Sequence, residues 1–287
     1  MAPQTVLITG CSTGIGLATA AMLAKDSLRR FKVYATMRNL KSKTKLEEAA
    51  GHTLNKTLLI RELDVTKDPT IKSVVDEILR DNGRIDVLVN NAGYMGLDAI
   101  DQKSLEWCQD MMDTDFWGVV RATRAVLPAM KKQKSGRILM VSSIAGVRGA
   151  PFFATYSAAK FAMEGFSESI APVLRDGYNI RVSIVEPGPV KTELATKVMD
   201  SSLEEQAKNF DPILKDLYMQ GVKRMTSGMS ALMQSADEIA KLHMDIILSE
   251  NPHLRYQTSE PMVKQAERKL RDPTTDYILD RLQESYK

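Results

Sequence analysis

The chain alternates short apolar runs with longer segments in which apolar residues recur at helical spacing. The apolar runs predict strands at Thr5–Thr9, Lys32–Thr36, Leu58–Leu63, Ile85–Val89, Arg137–Val141, Ile180–Val185 and Leu254–Gln257. The periodic segments predict helices at Ile15–Lys25, Thr70–Asp81, Leu105–Met130, Ala154–Arg175 and Asp237–Leu248. Strands that alternate with helices and are apolar throughout are typical of a parallel sheet buried on both faces. We therefore expect a single α/β domain over residues 1–287, built on a doubly wound, seven-stranded parallel sheet with helices on both faces.

Two regions fall outside this alternation. Residues 192–235 are rich in Met, Lys and Ser and contain Pro212, Gly221 and Gly228. Long irregular connections in compact domains are usually lids or binding loops, so we expect a mobile substrate flap here. Residues 259–287 mix basic and apolar side chains. That mixture fits a charged, solvated helix, which we expect, or a helix that binds the membrane surface.

The composition is that of an ordinary soluble protein. Hydrophobic residues make up 44% and charged residues 26% of the 287 positions, and the net charge of +3 is too small to indicate nucleic-acid binding. Cys11 and Cys108 provide no disulfide framework. No run approaches the ~20 apolar residues that a membrane span needs. We expect a cytoplasmic protein.

Ser143, Tyr156 and Lys160 are the candidate catalytic residues. Tyr156 and Lys160 lie four residues apart in a predicted helix, so their side chains project from the same face. A phenol ionises near pH ~10 unaided, and a neighbouring ammonium lowers that pKa. We therefore expect Tyr156 to act as a general acid and base, unless its spacing from Lys160 is coincidental. Ser143 follows the strand Arg137–Val141, where it can hydrogen-bond a substrate oxygen.

A glycine-rich turn joins the first strand to the first helix. It reads Thr9-Gly10-Cys11-Ser12-Thr13-Gly14-Ile15-Gly16. Its three glycines permit a tight turn, a close approach of the backbone to a pyrophosphate, and close packing of the helix against the sheet. The free N–H groups at the helix start, near Ile15, can bind phosphate. Between a strand and a helix, this turn predicts a dinucleotide site.

The end of the second strand bears on the choice between NAD and NADP. An NAD site usually places an acid there for the ribose 2′-hydroxyl, whereas this chain has Arg38, with Lys41 close behind. A guanidinium suits a 2′-phosphate, and Ser12 can donate to the same group. We expect NADP(H); the alternative is that Arg38 only faces solvent.

Small and polar residues also follow the third and fourth strands. Asp64 and Val65 end the third, where the carboxylate can accept a hydrogen bond from the adenine amino group. Asn90-Asn91-Ala92-Gly93 ends the fourth. There Ala92 and Gly93 let a cofactor lie close, and the two amides can tie neighbouring strands together. The carboxyl ends of parallel strands are where open α/β sheets bind ligands.

Together these motifs resemble the short-chain dehydrogenase/reductase family. The resemblance covers Thr5 to Leu248 and rests on Thr9–Gly16, Asn90–Gly93, Ser143, Tyr156, Lys160 and Pro187-Gly188-Pro189-Val190 followed by Thr192. It implies a Rossmann fold, a nicotinamide cofactor and no metal. In that family Tyr156 would donate and accept the proton, and Ser143 would position the carbonyl. Lys160 would hold the nicotinamide ribose and lower the tyrosine pKa, and Thr192 would hydrogen-bond the carboxamide.

Asp115 departs from the family pattern. The family has an asparagine in the long helix after the fourth strand, where this chain reads Asp113-Thr114-Asp115-Phe116-Trp117-Gly118. An asparagine donates and accepts hydrogen bonds, whereas an ionised aspartate only accepts. Asp115 can therefore hold a proton-relay water by accepting from it, or pair with Lys160 and raise the pKa of the lysine. We expect a working relay with a displaced pH optimum.

Finer features resemble family members that act on steroids and retinoids. They are Val6–Ser12, Phe31–Thr36 and Leu254–Thr258. They imply an NADP(H)-dependent oxidoreductase that interconverts a ketone or aldehyde and an alcohol on a bulky apolar substrate. A steroid is the expected substrate, and a retinoid is the alternative. The Met-rich flap either contacts such a substrate or packs onto the body of the protein.

The resemblance also implies how the chain assembles. The two long helices, Leu105–Met130 and Ala154–Arg175, would join two copies into a homodimer. A protein of a different class remains open, namely an NADP(H)-binding regulator without turnover. A departure from the family pattern at Asp115 favours the regulator, whereas intact Ser143, Tyr156 and Lys160 favour the enzyme.

Overall fold

The apolar runs of the chain form the strands of one parallel sheet. A computed structural model describes residues 2–193, 195–196, 202–229 and 232–279. The strands are β1 (Gln4–Ile8), β2 (Phe31–Met37), β3 (Leu58–Glu62), β4 (Val87–Asn90), β5 (Gly136–Val141), β6 (Ile180–Glu186) and β7 (Arg255–Gln257). Their order across the sheet is β3-β2-β1-β4-β5-β6-β7, and all neighbours are parallel. The predicted doubly wound, seven-stranded parallel sheet is confirmed.

Helices cover both faces of this sheet. They are α1 (Gly14–Ala24), α2 (Thr44–Ala50), α3 (Asp68–Asn82), α4 (Leu105–Met112), α5 (Gly118–Gln133), α6 (Ala154–Tyr178), α7 (Leu203–Gln206), α8 (Pro212–Met229), α9 (Ala236–Leu248) and α10 (Glu260–Arg271). In β1, Val6 and Ile8 pack in one core with α1 and α9, while Leu7 packs in the other with α3, α5 and α6. Successive side chains of a strand point to opposite faces, so a strand covered on both sides must be apolar throughout.

The strand order reverses beside β1, and this reversal determines where along the sheet a ligand can bind. β1 pairs with β2 on one side and with β4 on the other, with Val6 aligned to Val33 and to Val87. The connections leaving β1 and β4 therefore diverge to opposite faces of the sheet. Such a switch point opens a crevice at the carboxyl ends of the strands.

The helix predicted over Leu105–Met130 is interrupted. A π-helical turn over Asp113–Trp117 joins α4 to α5. Asp115 lies within this turn and is fully buried. Wide turns of this kind occur frequently at functional sites. The apolar spacing of the segment did not reveal it, because a local widening leaves the helical periodicity on either side intact.

The flap predicted over 192–235 contains a helix where an irregular connection was expected. Leu214, Tyr218, Val222 and Met225 recur at helical spacing in α8, a pattern that the glycines and polar residues of the segment obscured. Tyr218 and Val222 are buried in a small core with Phe153 of the body. Residues 194, 197–201 and 230–231 of the predicted flap, including Met199, lie outside the described residues.

The C-terminal segment also contains a helix. In α10, Met262 and Ala266 are buried, while Lys264, Arg268 and Arg271 are exposed to solvent. Among the described residues, no helix is both long enough and apolar enough to span a bilayer.

His243 links α9 to α1 on the face of the sheet where Val6 and Ile8 are buried. Its Nδ1 lies 2.9 Å from the hydroxyl oxygen of Thr19, and its side chain is fully buried. Burial lowers the pKa of His243 to about 4. Because the unfolded chain takes up this proton near pH ~6.5, the stability contributed by neutral His243 is complete above that pH and is lost as the pH falls through about 4.

Replacing His243 with glutamine should remove this pH dependence. We expect the difference in unfolding free energy between wild type and His243→Gln to fall by about 3 kcal/mol between about pH 7.5 and pH 4. Urea unfolding at a series of pH values measures that difference. The exposed His52 supplies the control, since His52→Gln should leave the dependence unchanged. A difference that stays constant across the range would contradict the assignment.

Candidate active site

The carboxyl ends of the strands border a cavity of about 1230 Å³. Its walls combine the connections that follow β1 to β6 with part of the predicted flap. Almost all predicted site residues line it, namely Gly10, Ser12, Thr13, Gly14, Ile15, Arg38, Asp64, Val65, Asn91, Ala92, Gly93, Asp115, Ser143, Tyr156, Lys160, Pro187, Gly188, Val190 and Thr192. Thr9 and Gly16 are the two predicted site residues that do not line it.

Thr9 and Gly16 support the glycine turn from behind. The hydroxyl of Thr9 accepts hydrogen bonds from the backbone N–H groups of Asn91 and Ala92, both at 3.0 Å. The side-chain amide of Asn91 donates back to the carbonyls of Thr9 and Gly10, both at 2.9 Å. A Cβ at Gly16 would lie 2.3 Å from that amide nitrogen. The loop after β4 therefore fits against the glycine turn without room for a larger side chain, and this contact shapes the turn.

Gly10 needs both its backbone freedom and its missing side chain. Its φ of +72° lies in the left-handed region, and a Cβ would lie 2.7 Å from the Cα of Ala92. At the start of α1, Thr13 makes no capping hydrogen bond through its side chain, and no acid occurs in the first turn. The first N–H groups of α1 are thus available beside Ser12, Thr13 and Ile15, which line the cavity. This arrangement fits a pyrophosphate.

Arg38 and Asp64 flank the part of the cavity beyond this turn. Arg38 is exposed to solvent and lines the wall together with Lys41. The Asp64 carboxylate accepts hydrogen bonds from the backbone N–H and the hydroxyl of Thr66, at 3.0 and 2.7 Å. Partial burial raises the pKa of Asp64, but these hydrogen bonds, with Lys67 and Arg38 nearby, lower it overall. Asp64 is therefore held as an ionised acceptor.

Ser143, Tyr156 and Lys160 meet at the floor of the cavity. Lys160 Nζ lies 5.5 Å from the centroid of the Tyr156 ring and donates to the carbonyl of Val141 at 3.3 Å. The Ser143 hydroxyl accepts from the backbone N–H of Ala145 at 3.1 Å, which fixes it at the end of β5. It also lies near enough to the Tyr156 phenol to lower the pKa of that phenol. The first turns of α6 and the end of β5 thus bring together the three residues that the sequence predicted.

Asp115 forms a buried ion pair with Lys160. Asp115 Oδ2 lies 3.3 Å from Lys160 Nζ, and the two residues are 0% and 4% exposed. Asp115 Oδ1 accepts from the backbone N–H of Tyr94 at 2.9 Å. Burial lowers the pKa of Lys160, but Asp115 and Tyr156 raise it by more. Of the two roles predicted for Asp115, pairing with Lys160 is the one observed.

The predicted lowering of the Tyr156 pKa is wrong. Burial raises this pKa and is the largest influence; Lys160 lowers it, Asp115 raises it, and the neighbouring Ser143 lowers it. The net direction is upward. Because the Asp115 carboxylate lies 3.3 Å from the ammonium, it cancels part of the field that Lys160 exerts on the phenol.

Part of the cavity lining is apolar. Side chains from four separate parts of the chain contribute to it, namely Met95, Leu97, Phe152, Val222, Met225, Leu232 and Met262. Several of them also pack with Tyr156 and Tyr218 in the small core under α8. The apolar residues of the predicted flap therefore pack onto the body, as one of the two interpretations expected, and some of them also line the cavity.

Sequence reasoning missed several polar residues of the cavity wall. The Arg148 Nε donates to Gln265 Oε1 of α10 at 2.6 Å, and both residues line the cavity. Lys45 of α2 forms an ion pair with Glu193 at the start of the flap. Members of each pair are more than a hundred residues apart in the sequence, so no spacing pattern could have revealed them.

The loop after β6 closes over the glycine turn. Gln234 holds this loop through two backbone hydrogen bonds, one from the N–H of Lys191 at 2.9 Å and one to the carbonyl of Pro189 at 3.0 Å. The Thr192 methyl would lie 3.1 Å from a Cβ at Gly14. Thr192 thus lies directly beside the start of α1.

Comparisons with known proteins agree with this geometry. A model of the short chain dehydrogenase family matches residues 4–202. The chain is 41% identical over 277 residues to retinol dehydrogenase 8 of Bos taurus, an alignment that covers 95% of this chain and 87% of the relative. It is 36% identical over 281 residues to 17-beta-hydroxysteroid dehydrogenase type 1 of Homo sapiens, covering 97% and 84%. A crystal structure of a short-chain dehydrogenase from Streptomyces avermitilis superposes with a TM-score of 0.75 at 26% identity, covering 99% of this chain and 96% of that one.

The close contact at Gly16 predicts that one added methyl group lowers the stability of the fold substantially. Gly16→Ala should lower the unfolding free energy by about 1–3 kcal/mol, because the new Cβ overlaps Asn91 and the carbonyl of Gly10. Gly165 is the matched control: it is also helical, and a Cβ there meets nothing within 4 Å. Gly165→Ala should be neutral or stabilise by about 0.5–1 kcal/mol. Denaturant unfolding of both variants measures this, and equal effects would contradict the predicted contact.

Proposed function

This chain belongs to the short-chain dehydrogenase/reductase family, and from that premise we propose that it is an NADP(H)-dependent oxidoreductase. It would interconvert a ketone or aldehyde and an alcohol on a bulky apolar substrate. One observation carries the proposal. Ser143, Tyr156 and Lys160 face the same cavity as the glycine turn, so a carbonyl and a dinucleotide can meet there.

The residues at the carboxyl edge of the sheet fit a nicotinamide dinucleotide. The glycine turn and the uncapped start of α1 would hold the pyrophosphate. Arg38, with Ser12 and Lys41 on the same wall, would hold a 2′-phosphate, which supports NADP(H) over NAD(H). When bound, the nicotinamide supplies or removes the hydride.

The residues of the chain supply the proton and orient the carbonyl. In reduction, the Ser143 hydroxyl would donate a hydrogen bond to the carbonyl oxygen, and the Tyr156 phenol would give its proton to that oxygen. In oxidation, the Tyr156 phenolate would take the proton back from the alcohol. Lys160, held by Asp115 and the carbonyl of Val141, keeps a positive charge beside the phenol in both directions. With its pKa raised, the Tyr156 phenol is protonated at neutral pH, which is the form that reduction consumes.

The apolar wall supports a bulky hydrophobic substrate, for which a steroid is the first candidate. Met95, Phe152, Val222, Met225 and Met262 offer flexible and aromatic surface rather than polar anchors. A retinoid is the second candidate, and the 41% identity to retinol dehydrogenase 8 favours it. The first candidate is supported by the 36% identity to 17-beta-hydroxysteroid dehydrogenase type 1.

Assembly and location are further parts of the proposal. Large apolar side chains on α4, α6 and the π turn are exposed, namely Leu105, Trp117, Phe161 and Val173, which supports a homodimer through these helices. Cys11 and Cys108 are both free thiols, which supports a reducing compartment such as the cytoplasm.

Turnover assays test the function directly. Oestrone, a panel of other steroids and all-trans-retinal are each offered with NADPH and with NADH, and oxidation of the cofactor is followed optically. We expect carbonyl reduction by NADPH, with NADH at least about tenfold less efficient because it lacks the phosphate that Arg38 would bind. NADPH binding without turnover of any substrate would instead favour a regulator.

Asp115→Asn should move the pH dependence of alcohol oxidation to lower pH. Asp115 raises the pKa of Tyr156, so its removal lowers the pH at which the phenolate forms. The measurement is the pH–rate profile of kcat/KM for the alcohol and NADP⁺. The matched control is Asp113→Asn, on the same π turn, where the carboxylate pairs with Arg121 instead of Lys160. An Asp115→Asn profile that overlays that of wild type refutes the role of the ion pair.

A further inference from the structure

Arg255 connects three carboxylates behind the active site. Its guanidinium bonds Glu186 at 2.6 Å and Glu168 at 2.8 Å, and it also forms an ion pair with Glu164. Glu164 and Glu186 are buried, whereas the Glu168 side chain is 54% exposed. Gln257 donates a further hydrogen bond to Glu186 at 2.7 Å. The two buried carboxylates therefore share one guanidinium as their cation.

The two buried carboxylates belong to elements that carry the active site. Glu164 lies on α6, one helical turn after Lys160 and two turns after Tyr156, so the three side chains lie along one face. Glu186 is the last residue of β6 and directly precedes the Pro187–Thr192 loop that borders the cavity. Arg255 on β7 thus ties the helix of the proposed acid–base residue to the strand that leads into this loop.

Ser143 is connected to the same cluster through its neighbours. The Ser142 hydroxyl and the Glu164 side chain both lie against Gly146. A Cβ at Gly146 would lie 2.6 Å from that hydroxyl and 3.0 Å from Glu164, so the turn after Ser143 packs directly on them. The backbone N–H of Ile144 donates to the carbonyl of Pro187 at 2.9 Å. The end of β5, helix α6 and the loop after β6 therefore meet around this buried cluster.

The three carboxylates of the cluster suit a guanidinium better than an ammonium. Burial raises the pKa of Glu164 to about 7, and the Glu186 charge adds to this, while the neighbouring Ser142 and the Arg255 charge oppose it. A planar guanidinium donates to several carboxylates at once in a fixed geometry. A lysine ammonium is a single point charge on a flexible stem and cannot reproduce that geometry.

We propose that Arg255, together with Glu164 and Glu186, is a positioning residue that holds α6 in register with β5 and β6 and so places Tyr156 and Lys160 beside Ser143. This inference rests on the proposed function. Arg255 is not among the described residues that line the cavity, so we assign it no contact with the substrate or the cofactor.

The kinetic test compares two substitutions on the same guanidinium network. Arg255→Lys keeps the positive charge but loses the planar set of N–H donors that bonds several carboxylates at once. We expect kcat for carbonyl reduction to fall on the order of 10- to 100-fold. KM for NADPH should stay within about threefold, because the glycine turn and Arg38 are untouched. Glu168→Gln removes only the exposed partner and should keep kcat within about twofold of wild type. A purely structural role would lower the unfolding temperature of Arg255→Lys but leave kcat of the folded protein unchanged, and that result overturns the proposal.

Amide hydrogen exchange gives a second readout that needs no turnover. In Arg255→Lys, exchange should become faster over residues 142–144 and 154–160 than in wild type, while the amides of β1 keep their protection. Unchanged exchange in both segments overturns the proposal. If wild type turns over no substrate of the panel, the proposed function fails, and the exchange data alone then decide whether Arg255 holds α6 in register.

Discussion

A buried ion pair between Lys160 and Asp115 is the interaction on which the site depends. Each charge lowers the cost of burying the other, since removing one partner of a buried ion pair typically costs about 3–5 kcal/mol. The pair is possible because the π turn over Asp113–Trp117 carries Asp115 inward and the N–H of Tyr94 satisfies its second oxygen. The pair also affects Tyr156. Because Asp115 offsets part of the Lys160 charge, the ammonium lowers the pKa of the Tyr156 phenol by less than it would alone.

The parallel sheet explains why so many distant residues meet at one cavity. Each strand ends at the same edge, so the turn after β1, the loop after β4, the end of β5 and the loop after β6 all border one space. Side chains behind that edge then fix the loops to one another. Asn91 links the loop after β4 to the glycine turn, and Arg255 links α6 to β6. The chemistry is placed by the sheet and held by these buried polar contacts.

Local patterns predicted the parts of this protein that depend on neighbouring residues. The strands, the glycine turn and the spacing of Tyr156 and Lys160 are readable because apolar runs and short motifs act within a few positions. The π turn was missed because a local widening leaves the surrounding periodicity intact, and the helical flap segment because glycines and polar residues obscured its apolar spacing. The Arg255 cluster was not predicted because it depends on contacts between segments far apart in sequence. The sign of the Tyr156 shift was wrong for the same reason. The predicted helix supplied Lys160 as a neighbour, but not the burial or the position of Asp115.

The proton transfer assigned to the Tyr156 phenol is the central claim of this account. It is tested most directly by the single-turnover rate of carbonyl reduction in Tyr156→Phe, with NADPH bound at saturation and cofactor oxidation followed optically. Loss of the hydroxyl should slow reduction on the order of 10²- to 10⁴-fold while NADPH still binds. Reduction at the wild-type rate in Tyr156→Phe would contradict the account.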